Sequence, residues 1–347
     1  MKKIFFHIGL PKTGTSYLQT TFAINSVKYK EYGLIYKDFE NNFHKRRFGY
    51  YIPGNGIRVA KSLSNNKNLK HLKSYVLPDL FKSFDKNYDH LISSEHFIGA
   101  SLDSLKNIST IVGKNFECIF IACVRNPVEN VISSYLQNLK MNDINESFDI
   151  VYPKITYAIK RRLNLLIGLR SHIKLFNYDF KKYNLINCFD DLIFGKLISV
   201  PLEKKNINSS LNYQQSEIIR LMRKLNINPS RHKIKNYIEG NDRHKEKIKK
   251  FPISKTICEE IYKNLLAEIK EINKMLPDDE QIKPTCKDYE DAEFEPIFTN
   301  NDIDFLKKTI GTPAWTILAI SSSISSVVKK IILKLKPFYF KLKFYFK

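Results

Sequence analysis

Lys3-Ile-Phe-Phe-His-Ile-Gly-Leu-Pro-Lys-Thr-Gly-Thr-Ser-Tyr-Leu-Gln19 is the stretch whose reading decides the architecture of this chain. Ile4 to Ile8 is almost continuously apolar, the pattern of a parallel strand covered on both faces. Gly9 to Gly14 then supply turn chemistry, and Ser16 to Phe22 resume a helical pattern. A strand, a tight loop and a helix in that order bring several backbone N–H groups and the positive end of a helix dipole to one place, where they stabilise an anion such as a phosphate. Lys12 adds a full charge there, and Thr13, Thr15 and Ser16 add hydroxyl donors.

The nucleotide-triphosphatase version of this loop is G-x-x-x-x-G-K-[ST], with the lysine after the second glycine and the next hydroxyl on magnesium. Here Gly9-Leu-Pro-Lys-Thr-Gly14 puts the lysine two residues before the second glycine, which argues against an ATPase. A second anion-binding pattern lies at Cys123-Val-Arg-Asn-Pro-Val-Glu-Asn-Val-Ile-Ser-Ser-Tyr135. The apolar run Phe116 to Val124 predicts a strand that ends at Arg125, and Ser133 falls about two turns into the helix that follows. Eight residues separate the two, so a strand-end guanidinium and a helix hydroxyl can converge on one phosphate.

Pro11-Lys-Thr-Gly-Thr-Ser16, directly after an N-terminal strand, resembles the 5′-phosphosulfate-binding loop of sulfotransferases that use 3′-phosphoadenosine 5′-phosphosulfate (PAPS). The Arg125 and Ser133 spacing is similar to the 3′-phosphate-binding element of the same family, and the two motifs stand in the family's order about 110 residues apart. The resemblance implies a three-layer α/β domain, P-loop-like, with a central parallel sheet. The implied reaction is sulfuryl transfer from PAPS to a hydroxyl, leaving the desulfated nucleotide PAP. Pro11, Lys12, Thr13, Gly14, Thr15 and Ser16 would hold the 5′-phosphate, Arg125 and Ser133 the 3′-phosphate, and Lys12 would also stabilise the transition state. No metal is required, because protein donors neutralise the leaving group.

His90-Leu-Ile-Ser-Ser-Glu-His96 reads as a short core strand, and its carboxyl end is where open α/β sheets place chemistry. Leu91-Ile-Ser-Ser-Glu95 looks like a segment of bacterial carbohydrate sulfotransferases, which implies Glu95 as general base, with His96 as the rival. Adjacent strand residues point to opposite faces, so one of the pair faces the acceptor. Ile173 to Phe180 reads as a later strand ending in a Tyr-Asp turn, whose Asp179 is structural, and Asn206 to Leu211 resembles an Asn-x-Ser-Leu segment of bacterial members.

The formal charge of +22 over 347 residues implies an anionic partner beyond the nucleotide. A glycan hydroxyl is the expected acceptor, from a bacterial surface glycan or its lipid-linked precursor, on the bacterial resemblance and the basic, aromatic stretch Tyr36 to Gly56. A P-loop kinase is the alternative enzyme; a nucleic-acid-binding module lacks zinc spacing and RNA-motif aromatics. The five cysteines are widely spaced and sit mostly in apolar runs, so they read as reduced core residues. With no secretory pattern at Met1 to Leu10, the expected place is the cytoplasm.

Helical patterning is expected at Pro127 to Lys140, Tyr152 to Leu169, Gln214 to Leu225 and from about Lys255. These segments complete a catalytic domain over residues 1–290, and residues 291–347 form a linker and a basic amphipathic tail. In that tail Val327, Val328, Ile331, Ile332 and Leu335 share a helical face, and seven lysines with no acids occupy the last twenty-two residues. Such a segment is expected to lie on an anionic membrane surface.

Overall fold

The computed structural model describes residues 1–39, 54–64, 84–113, 115–141, 144–200, 211–224, 229–241, 251–286 and 305. Five parallel strands form one sheet among these residues: β1 (Lys3–His7), β2 (Leu34–Ile35), β3 (Asp89–Ser93), β4 (Glu117–Val124) and β5 (Ile173–Asn177), in the order β2-β3-β1-β4-β5. β1 is central because it is apolar throughout: Ile4, Phe5 and Phe6 are buried, with helices covering both faces. It pairs in register with β3 through His7 opposite Ser93, and with β4 through His7 opposite Ile121. Hydrogen bonds continue past its end, from Ile8 N to Ile121 O (2.9 Å) and from Leu10 N to Cys123 O (3.1 Å). The chain crosses from β3 over β1 to β4, so the reversal of strand order falls beside β1, where α/β sheets open a crevice at their carboxyl edge.

The helices fall close to their expected places. α1 (Thr15–Ile24) is joined by α2 (Ser26–Glu31), α3 (Ile57–Ser64), α4 (Leu102–Val112), α5 (Pro127–Met141), α6 (Phe148–Gly168), α7 (Tyr178–Lys181), α8 (Leu185–Phe194), α9 (Tyr213–Lys224), α10 (Arg231–Asn241) and α11 (Lys255–Asn273). α1 and α8 pack Leu18, Phe22 and Phe189 against Phe5, Leu91 and Ile121 of the sheet.

The chain divides into two compact units. The first, 1–131 with 153–208 and 260–285, holds the sheet; the second comprises 132–152, 209–259 and 286–347. An aromatic cluster packs the second unit, where Phe251 lies 5.2 Å from Phe148, 5.4 Å from Tyr213 and 5.9 Å from Tyr135, ring centre to ring centre. The boundary expected near residue 290, the basic tail, the Asn206-Ile-Asn-Ser-Ser segment and most of the Tyr36 to Gly56 stretch lie outside the described residues.

Two local expectations are corrected. β3 ends at Ser93, and Glu95 and His96 belong to a 3-10 turn, Glu95–Gly99. The reason is Ser94, whose Oγ accepts the His96 N–H at 3.2 Å and so caps a turn in place of a longer ladder. β5 stops at Asn177, where the Tyr-Asp turn was expected: the Asn177 side chain accepts the Asp179 N–H (3.0 Å) and starts α7. Not every cysteine is reduced: Cys258 and Cys286 are joined in a disulfide with Cα atoms 6.0 Å apart. They are 28 residues apart in sequence, a separation at which neither spacing nor periodicity signals a pair. Cys118, Cys123 and Cys188 are free, and burial pushes the Cys118 thiol up to about 12, as expected of an inert core residue.

Candidate functional site

Gly9 and Gly14 bracket the loop with positive φ angles of 109° and 77°. Lys12 takes φ 70°, a left-handed conformation that costs a non-glycine residue about 1 kcal/mol or more. The surroundings enforce it. Thr13 is buried and its hydroxyl donates to the Leu10 carbonyl at 2.6 Å, while Cys123 N donates to Gly9 O at 2.7 Å. A Cβ at Gly14 would stand 2.9 Å from Leu185, so only glycine lets α8 approach the loop this closely. Gly14 caps α1 without a side-chain hydrogen bond, so no cap side chain occupies the N-terminal end of the helix, where a helix favours an anion.

Arg125 follows β4 as expected, with its side chain 17% exposed. Its Nη1 donates to the Lys12 carbonyl at 3.2 Å, which ties the second motif to the first across 113 residues of sequence. Nη2 reaches Glu129 at 3.4 Å, and the guanidinium lies 5.5 Å from the Tyr178 ring centre. Nε is 3.5 Å from Asp179 Oδ1, near enough for ion pairing, yet it is buried without an aligned acceptor. That orphaned donor is what an incoming phosphate oxygen would satisfy. Asp179 holds the corner, accepting the Asn126 N–H at 2.6 Å, in keeping with a structural role.

Glu95 is the first residue of the turn after β3, half-buried, and its Oε2 accepts the Thr15 hydroxyl at 2.8 Å. The bond joins the base of α1 to the acidic candidate and leaves Oε1 to accept a proton. His96 is exposed. The two neighbours do diverge, by the geometry of a capped turn and not by strand alternation. Loop, Glu95 and Arg125 are thus brought to one edge of one unit. Pro11, Lys12, Gly14 and Ser16 are half-buried on that loop, while Ser133 is half-buried on α5 within the second unit.

Neither the family models nor the curated proteins contain a match to this chain. A sulfotransferase is among its distant structural likenesses. The enzyme of that name from Alicyclobacillus acidocaldarius aligns at 13% identity and a TM-score of 0.34, over 65% of this chain and 96% of that one. The chain's own side chains must carry the chemistry.

Three contributors escaped the sequence. Asn55 latches the end of β3: its Nδ2 donates to Lys37 O and Leu91 O, both at 3.0 Å, and its Oδ1 accepts Ser93 N–H at 2.8 Å. Beside it a Cβ at Gly54 would meet the Ser93 carbonyl oxygen at 1.9 Å, so the glycine is required. His7 lies under the loop, fully buried, with Nδ1 2.8 Å from Ser93 Oγ and its ring edge-on to Phe22 and Phe189. Burial pushes its pKa down to about 3, so it is neutral and structural. The third is Arg162 on α6, which feels the charge of Glu95. Its only sequence signal was a basic pair, Arg161-Arg162, set beside the apolar stripe of a helix.

Among the described residues no helix is long and apolar enough to cross a membrane.

Proposed function

We propose that this chain transfers a sulfuryl group from PAPS to a hydroxyl of a carbohydrate acceptor. The observation that carries the reading is the Thr15–Glu95 hydrogen bond, which fixes a carboxylate against the first turn of the anion-binding helix. When bound, PAPS supplies an activated sulfuryl group and a phosphate leaving group. The N–H groups at the start of α1 and the Lys12 ammonium would neutralise negative charge on the 5′-phosphate. Glu95 takes the proton of the acceptor hydroxyl through Oε1 as the new oxygen–sulfur bond forms. Arg125, already anchored on the Lys12 carbonyl, holds the 3′-phosphate, with Ser133 as its expected helper.

The fit rests on the donors of the loop, the orphaned Arg125 Nε and a lysine positioned ahead of the second glycine. A lipid-linked or surface glycan as acceptor, and a peripheral site on the cytoplasmic face of the membrane through residues 326–347, belong to the same proposal and rest on the sequence alone. Calorimetry with PAP and with ATP, paired with turnover of PAPS by Lys12→Ala and Glu95→Gln, tests it. PAP should bind and ATP should bind far more weakly, and both variants should lose turnover about a hundredfold or more. Equal affinity for ATP, or full turnover in Glu95→Gln, would overturn the assignment.

A further inference from the structure

The turn that begins at Glu95 continues through Ile98 and Gly99 into the wall of a cleft of about 480 Å³. The facing wall is α6, which contributes Arg161, Arg162 and Asn164. Arg162 is half-buried there and, among the described residues, has no hydrogen-bond or ion-pair partner; the one opposite charge acting on it is that of Glu95. Burial weakens its hold on the proton and Arg161 repels it, yet a guanidinium stays charged in any protein environment. Two adjacent cations on a cleft wall, one of them half-buried and without a hydrogen-bond partner among the described residues, form an arrangement that an oxyanion would relieve.

The topology says which anion this would be. β3 and β4 flank β1, so the loop after β1 stands between Arg125, which follows β4, and the Glu95 turn, which follows β3. The nucleotide phosphates are accounted for by the loop and Arg125. The cleft is walled by Ile98 and Gly99 of the turn that begins at the proposed base, so an acceptor seated in it would lie along the same turn as Glu95.

We propose that this cleft is the acceptor subsite and that Arg161 and Arg162 bind an anionic group of the acceptor, so that the enzyme acts on an acidic sugar bearing a carboxylate or a sulfate ester. The inference rests on the sulfotransfer reading for the word acceptor, but the anion site itself can be tested without turnover.

Saturation-transfer NMR and calorimetry on the full chain, with PAP present and absent, would compare three probes: 4-nitrophenyl β-D-glucuronide, 4-nitrophenyl 6-sulfo-β-D-glucoside and the neutral 4-nitrophenyl β-D-glucoside. At least one anionic probe should bind about tenfold or more tightly than the neutral one, as expected of a charge-assisted pair. Arg162→Met should remove that preference and leave PAP affinity within about twofold, which also checks folding. Arg161→Gln, at an exposed position, should weaken the preference several-fold and keeps the test decisive if Arg162→Met does not fold. The glucuronide and the sulfo-glucoside separate the two sources of negative charge. Equal binding of all three probes, no binding of any, or a preference untouched in the variants would overturn the proposal. Loss of PAP binding in an Arg162→Met protein that keeps the parent's circular dichroism and melting temperature would overturn it too, by assigning the arginine to the nucleotide. A parent protein that binds the anionic probe but not PAP would sink the sulfotransfer reading and leave the cleft standing.

Discussion

Two arginines, one bonded to the Lys12 carbonyl and one within reach of the charge of Glu95, are treated by the fold in opposite ways. Arg125 is held by the Lys12 carbonyl, Glu129, Asp179 and the face of Tyr178. Arg162 is held, among the described residues, by no hydrogen bond or ion pair. The difference teaches what each side is prepared for. A guanidinium locked to the backbone of the loop after β1 has lost its rotamer freedom before any ligand arrives, so a phosphate would find it in place. An unpartnered guanidinium on a cleft wall gains most from its ligand and is the better discriminator between charged and neutral ligands.

The largest effect that bears on this contrast is acid sensitivity under the locked side. His7 takes a proton near pH 6.5 when unfolded but only near 3 in the fold, because burial opposes its charge. Between those values the unfolded state binds more protons, so stability falls as pH falls, by about 1.4 kcal/mol per pH unit and on the order of 5 kcal/mol in all. Urea unfolding from pH 6.5 to 4 should show that slope, and His7→Gln should flatten it by about the same amount. An equal slope in parent and variant would mean that the platform under the loop does not oppose protonation.

Next comes Arg125→Ala, expected to weaken PAP binding by about 2–4 kcal/mol while scarcely touching a nucleotide that lacks the 3′-phosphate. Calorimetry with the two nucleotides measures it. An equal loss for both would assign Arg125 to the loop's architecture alone and erase the functional half of the comparison.

The smallest effect concerns the link between the two sides. Thr15→Val removes the hydroxyl that holds Glu95 Oε2, and should lower turnover about tenfold, near 1.4 kcal/mol, with PAP affinity kept. If PAP affinity falls as far as turnover, Thr15 serves the phosphate and not the base.

Much of this was legible before the structure. β1, the loop and α1 are contiguous, and their periodicity and glycines are local signals, so their reading survives intact. Arg125 was legible for the same reason: the apolar run before it could end only at a charged residue. The setting of Glu95 was misread, because whether a serine extends a strand or caps a turn depends on the competition between ladder partners and its own Oγ. The Cys258–Cys286 bond and Arg162 were not legible. Nothing local distinguishes a cysteine or a basic residue with a distant neighbour from one without.

Sequence by itself determined the elements: a buried strand, a glycine-bracketed loop with its lysine ahead of the second glycine, and a second strand ending in arginine. Only the tertiary structure decided the partners. Thr15 and Glu95 are 80 residues apart, and Lys12 and Arg125 are 113 apart. Parallel strands pair only through long crossovers, so the residues at their carboxyl ends meet at a distance in sequence that no local pattern encodes.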